Sequence, residues 1–235
     1  MVPSGFFSFP RSGRAPVCSR RRVHRGGFAP ALALLVSLAL SSCIGTDSRI
    51  TVNKDGSGAI KVEYRLAGDL ESLGKLDGNE RWLPLPAGKA DLERTADRIE
   101  GLKLLSASQK TKGKDSVLGA EFSFASPEAL NAFFDASGQA FTADIPGRRM
   151  VLVFPESGDQ NPDFKALLSA ALEGYGFSLA FSLPGAARVA WFDGEGGAAP
   201  SFPGNCAVQG STVEYSVPMA ELVFLDRTLT MEISW

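Results

Sequence analysis

Ile50-Thr-Val-Asn-Lys-Asp-Gly-Ser-Gly-Ala-Ile-Lys-Val-Glu-Tyr-Arg-Leu66 is the stretch from which the rest of the chain can be read. Ile60, Val62, Tyr64 and Leu66 alternate with Lys61, Glu63 and Arg65, a period of two with apolar residues on one face and charges on the other. That pattern predicts an antiparallel strand with one solvated side. Ile50-Thr-Val52 before it reads as a second strand. Between the two, Asp55-Gly56 and Gly58 provide the backbone freedom of a tight turn, so the segment is expected to be a hairpin.

Working outward, the same alternation recurs at Leu118, Ala120, Phe122 and Phe124, with a candidate partner over residues 102–108 across the turn Lys110-Thr-Lys-Gly-Lys114. Further strands are expected at Met150–Leu152–Phe154 behind Pro146-Gly147, at Phe177–Leu183, at Val213–Val217 and at Leu229–Trp235. Helical spacing appears between them. Asn161-Pro162 opens a helix with Phe164, Leu167, Leu168, Ala171 and Leu172 on one face, closed by Gly174. Ser126-Pro127 opens another with Leu130, Phe133 and Phe134 inward. A third covers about residues 90–100 with Leu92, Ala96 and Ile99 inward, and a weaker helical turn is expected near residues 69–76. Strand clusters interrupted by helices predict an α+β fold: one domain over residues 49–235, a mainly antiparallel sheet of about eight strands, and three to four amphipathic helices on one face. The last strand, with Leu229, Met231, Ile233 and Trp235 alternating with polar residues, is expected to face the interior beneath the helices; its strands are too short for an outer-membrane barrel.

Upstream of the hairpin the composition changes. Residues 1–42 contain six arginines, the only histidine (His24) and no acid. Next to them lies an uncharged apolar run from Phe28 to Leu40, too short for a transmembrane helix of about 20 residues. A basic flank, a short apolar core and small residues at the end are the anatomy of a secretory signal peptide. Leu40-Ser41-Ser42-Cys43 has the form of a bacterial lipobox, which predicts cleavage between Ser42 and Cys43 and diacylation of Cys43. A generic signal peptide with a chance cysteine, or a buried helix, is the alternative. Ser19-Arg20-Arg21-Arg22 has only part of a twin-arginine pattern. Residues 43–48 are then expected to be a short lipidated tether. Ile44, in place of the aspartate that retains lipoproteins at the inner membrane of enteric bacteria, favours the outer membrane within an envelope location outside the cytoplasm.

Over the full 235 residues the formal net charge is −2 with 44% hydrophobic side chains. Without the six leader arginines, 18 basic side chains face 26 acidic ones, a charge of −8. A domain this acidic repels phosphate backbones, so nucleic acid is not an expected partner. Cys18 falls in the leader and Cys43 at the lipid, leaving Cys206 without an internal disulfide partner; a core of this size suffices to hold the domain. Without histidine, Ser-His-Asp, Cys-His and His-ligated metal chemistry drop out, and one cysteine builds no thiolate cluster. Neither a metal nor a cofactor is expected. Ser72-Leu-Gly-Lys75 matches S-x-x-K, but the companion motifs of penicillin-recognising enzymes are missing. Glu63, Asp91, Glu121, Asp144, Glu173 and Glu232 are scattered, which argues against a catalytic carboxylate pair. The acidic glycine loops at residues 54–58 and 193–197 lack regular calcium-ligand spacing and read as turns. Trp82, within Arg81-Trp-Leu-Pro-Leu-Pro86, and Trp191, Phe192 and Phe202 are either core residues or the apolar rim of a binding site.

The lipobox, the short spacer, the hairpin Thr51-Val-Asn-Lys-Asp-Gly-Ser-Gly58 and the segment Phe181-Ser-Leu-Pro-Gly-Ala-Ala-Arg-Val189 together resemble the LppM-type lipoprotein domain of bacterial envelopes. That resemblance implies an α+β envelope domain without enzyme activity, with lipid or glycolipid binding proposed for some relatives. The chain differs in ending on the strand at Trp235 rather than on a transmembrane helix, so no function that needs a second anchor carries over. The expectation is a non-catalytic, membrane-anchored lipoprotein that binds a lipid, a glycolipid or an envelope protein. The competing expectations are a carboxylate-based hydrolase of envelope polymers and a structural or assembly lipoprotein.

Overall fold

Eleven strands and four helices alternate along the described part of the chain. The computed structural model describes residues 44–67, 88–157, 162–199 and 201–235. The elements are β1 (Ile44–Val52), β2 (Gly58–Ala67), α1 (Lys89–Arg98), β3 (Leu102–Lys112), β4 (Asp115–Phe124), α2 (Pro127–Ala136), β5 (Ala140–Asp144) and β6 (Arg149–Phe154). They continue with α3 (Pro162–Ala171), β7 (Gly176–Ser182), β8 (Arg188–Asp193), β9 (Asn205–Gln209), β10 (Thr212–Pro218), α4 (Met219–Val223) and β11 (Leu229–Ser234).

The β1–β2 hairpin forms as its alternation requires, with Ile50 opposite Ile60 and Val52 opposite Gly58. Asp55 closes its turn by accepting from the Ser57 backbone N at 3.0 Å and the Ser57 hydroxyl at 2.7 Å. The hairpin sits inside a seven-stranded sheet ordered β3-β4-β2-β1-β7-β10-β9. Every neighbour pair in it is antiparallel except β1 with β7, which run parallel. A second sheet, β5-β6-β11-β8, is antiparallel throughout.

Two kinds of layer cover the apolar face of the large sheet. Over β2, β3 and β4 lie α1 and α2: Leu92, Ala96, Leu130 and Phe133 join the same core as Phe122, and the Phe122 and Phe133 rings are 5.3 Å apart. Ser126 caps α2 by accepting from Ala129 N at 3.3 Å, and Pro127 occupies the first helical position, where no N–H is needed. Over β7 and β10 lies the second sheet instead of a helix. Phe154 of β6 meets Tyr215 of β10 at 5.7 Å, and Phe141 of β5 stacks toward Phe181 of β7 at 6.3 Å. Residues from both sheets belong to one buried cluster, so the two sheets share one core. Asn131 of α2 ties the layers together. Its side chain accepts from Ala143 N at 2.7 Å and donates to Ala143 O at 3.2 Å, satisfying the unpaired edge of β5.

The α+β class holds, with three corrections. The strands number eleven rather than about eight: β5, β8 and β9 are additional, and the sheet divides in two. Of the helices, only α1 and α2 lie on the large sheet's apolar face, the rest of which the second sheet covers. The helix α3 and the five-residue α4 adjoin a small separate cluster of Leu172, Met219, Tyr175 and Phe224 at the end where β7 begins and β10 finishes. Accordingly β11 is buried under the large sheet rather than under helices, as the central strand of the second sheet, with Leu229, Met231 and Ile233 at most 2% exposed. Finally, residues 44–48 are not a tether. They are hydrogen-bonded strand, Ile44 opposite Leu66 and Thr46 beside Phe177, because β2 and β7 flank them on both sides. The expected turn near residues 69–76, the S-x-x-K segment and the side-chain placement of Phe164, Leu167 and Leu168 lie outside what is described.

Candidate functional site

A concavity combining apolar and charged groups forms where α3, α4, the loop before β9 and the loop before β11 converge. Gly174, with φ of 80°, ends the turn that follows α3, and the chain then enters β7. On the opposite wall, Phe202-Pro-Gly204 leads into β9. Gly204 has φ of 75°, and a Cβ there would run into the backbone of Ser216, so this turn lies tightly against β10. Tyr215 fixes it further by donating its hydroxyl to Pro203 O at 3.1 Å. Burial pushes the Tyr215 pKa up, keeping that donor protonated.

The resulting cleft has a volume of about 620 Å3. Phe202, Phe224 and Leu225 form its apolar wall, with Lys165 and Arg227 as cations and Glu221 and Asp226 as acids. The Lys165 ammonium sits 5.2 Å from the centre of the Phe224 ring. Arg227 donates through Nη2 to both the backbone oxygen and the hydroxyl of Ser201, each at 3.2 Å, and its enclosed Nε makes no hydrogen bond among the described residues. Beneath the wall, Trp191 stacks on Phe202 at 4.5 Å and 6° and packs against Tyr215 at 5.2 Å.

Of the predicted aromatic rim, Trp191 and Phe202 are brought together. Phe202 is 36% exposed and lines the cleft, whereas Trp191 is 8% exposed and supports it from below. Phe192 follows Trp191 in β8, so its side chain leaves on the other face of the second sheet. Trp82, Ser42 and Cys43 lie outside the described residues. Trp191 Nε1 is buried and makes no hydrogen bond among the described residues. Its polar neighbour is the half-buried Cys206 thiol, whose pKa burial raises and Trp191 partly draws back; the contact falls short of hydrogen-bond geometry.

The carboxylates singled out by sequence serve separate structural ends. Asp91 accepts from Gly88 N at the start of α1, Asp144 accepts from Gly147 N, and Glu232 accepts from Arg149 at 2.6 Å. That last bond holds the Glu232 carboxyl below its usual range. Glu63 and Glu121 lie on the polar face of the large sheet, in a trough of about 680 Å3 also lined by Asp47, Arg49, Lys61 and Lys110, where Asp47 pairs with Arg49 at 3.4 Å and Glu63 with Lys110 at 3.6 Å. Asp193 Oδ1 accepts from Glu195 N and Gly197 N, so the 193–197 loop is closed by its own backbone like the 54–58 turn. No cluster of three potential metal ligands occurs among the described residues. Sequence reasoning missed Lys165, Phe224 and Arg227, which come from three separate segments without a shared motif.

Near the cleft, at the same end of the large sheet, Asp115 is only 2% exposed. Arg65 Nε donates to it at 2.6 Å and the Tyr175 hydroxyl at 3.1 Å, while the Arg65 guanidinium stands 5.2 Å over the Tyr175 ring. A buried carboxylate needs such compensation. No family model and no curated protein matches the chain.

Proposed function

We propose that this is a lipid-anchored lipoprotein of a bacterial cell envelope, attached through Cys43, whose domain binds an amphiphile in the cleft beside Phe202 and performs no chemistry. The observation that carries the binding reading is the cleft itself. An apolar wall set beside two cations and two acids suits a ligand with an acyl part and a polar headgroup, and about 620 Å3 is in the range of small-molecule sites. The anchor reading draws support from β1. Cleavage before Cys43 removes none of the described elements, since β1 starts at Ile44. The resemblance to LppM-type domains points the same way, and Ile44 after the cysteine favours the outer membrane.

Native mass spectrometry of the chain released from its own membrane tests the binding reading. A bound lipid or glycolipid is expected, and Phe202→Asp should lose it. Equal lipid occupancy in that variant, or a copurifying protein with no lipid, would overturn the amphiphile. Metabolic labelling with a fatty-acid probe tests the anchor, and equal labelling of Cys43→Ala would remove it.

A further inference from the structure

We infer that the end of the domain where β1 begins docks on the bilayer, with the hairpin tip at residues 110–114 contacting anionic phospholipid headgroups; this rests on the lipid anchor proposed for Cys43. The argument starts from the missing spacer. Because β1 is paired from Ile44 onward, and consecutive Cα atoms are about 3.8 Å apart, a lipid on Cys43 is joined directly to the rim of the large sheet. A domain so attached has little freedom to turn another side toward the membrane.

The register then specifies what shares that rim. Ile44 stands opposite Leu66, Ala67 opposite Asp115, and Asp115 opposite Lys112. The tip of the β3–β4 hairpin is therefore two to three strand spacings from β1, roughly 10–14 Å. It turns through Gly113, with φ of 65°, and Lys114. Lys112 and Lys114 are exposed and make no ion pair among the described residues. Lys110, 62% exposed, lies 3.6 Å from Glu63. The one acid within this tip, Asp115, is turned inward and neutralised by Arg65, so it does not offset the lysines. On the other flank of β1 the same end presents α4 and the cleft, where Glu221 and Asp226 accompany Lys165 and Arg227. Among the described residues, the positive charge at this end with no acid beside it is thus at the hairpin tip, on a chain whose other charges sum to an excess of acids. Basic side chains held near an anionic leaflet are attracted over about one Debye length. The placement also puts the cleft at the end of the domain that faces the bilayer.

Lysine acylation footprinting of the full lipidated chain tests this, in vesicles of phosphatidylcholine alone or with phosphatidylglycerol. Lys54, in the β1–β2 turn at the opposite end of the hairpin, is the internal reference. Lys112 and Lys114 are expected to react about fivefold more slowly in the anionic vesicles, and to recover in high salt, while Lys54 is unchanged. Equal reactivity in both vesicle types, or protection that survives high salt, would overturn the headgroup contact. The mass of the N-terminal peptide in the same digest separates the two proposals. An unacylated Cys43 overturns anchor and orientation together, whereas an acylated Cys43 with unprotected lysines overturns the orientation alone.

Discussion

Met231→Ala probes the feature on which the two-layer architecture depends. Met231 is 0% exposed at the centre of the second sheet, opposite Leu152 of β6 and Trp191 of β8. Truncating it removes the apolar transfer contribution and leaves a cavity that the flanking strands cannot close, because both are fixed to β11 by their hydrogen-bond ladders. Buried Met-to-Ala changes cost about 2–5 kcal/mol, and full enclosure on a central strand places this one at about 3. For a domain of this length each kcal/mol moves the thermal midpoint by roughly 2–4 °C, giving a drop of about 6–12 °C. Urea unfolding followed by circular dichroism and tryptophan fluorescence measures it, with the m-value unchanged. Thr230→Ala, on the opposite face of the same strand, should change stability by about 0.5 kcal/mol or less. Met231 and Ile233 are adjacent on the buried face of β11 in one core cluster, so their double alanine variant should not be additive. A loss below about 1 kcal/mol for Met231→Ala, equal to that of Thr230→Ala, would refute the packing of the second sheet on the first.

Two further outcomes follow from particular contacts. Asn131→Ala removes both hydrogen bonds to the 6%-exposed Ala143 and strands a buried N–H, so it should cost about 2 kcal/mol and accelerate amide exchange in β5; unchanged exchange there would rule out the clamp. Alkaline pH should destabilise the fold. Burial pushes the Tyr64 pKa from 10.0 up to about 12, against a weaker opposing hydrogen bond with Ser137, and also raises that of Cys206. The unfolded chain loses these protons first. The contribution of Tyr64 is therefore complete below pH 10 and disappears progressively as the pH rises through about 12. Tyr64→Phe should flatten this part of the profile, and an identical slope in the variant would show that other groups set it.

How much of this architecture the sequence reveals depends on whether a strand has one wet face. In β2, β4, β10 and β11, one side meets the core and the other is polar, so the period of two is visible. The three unforeseen strands lack that contrast. In β8, Val189 and Trp191 alternate with Ala190 and Phe192, leaving apolar residues on both faces. The edge strand β9 is largely exposed, and β5 has five residues of which only Ala143 is buried. The first half of β1 is hidden for a different reason. Gly45-Thr-Asp-Ser48 has no apolar side chain to set up an alternation, and its conformation comes from backbone pairing to β2 and β7, partners that are distant in sequence or in register terms unpredictable from it. The same limit conceals the parallel β1–β7 contact, because alternation tells which face is buried but not which neighbour is paired.

The candidate site was legible only where chemistry coincided with hydrophobicity. Trp191 and Phe202 stand out as large aromatics beside glycine-rich loops, although they are eleven residues apart and meet by stacking across the second sheet's edge. Their charged companions had no such signal: Lys165 is one helical surface cation, and Arg227 follows an aspartate in an ordinary loop. What assembles them is topology. Because β7 runs parallel to β1 and β10 returns antiparallel to β7, the end of α3, the start of α4 and the loop into β9 all meet at the end of the sheet where β1 begins. The parallel pair is therefore the structural reason that the candidate cleft and the start of β1, next to the predicted lipid attachment point, share one end of the domain. A reversed β7 would carry α3 and the cleft to the far end, away from Cys43.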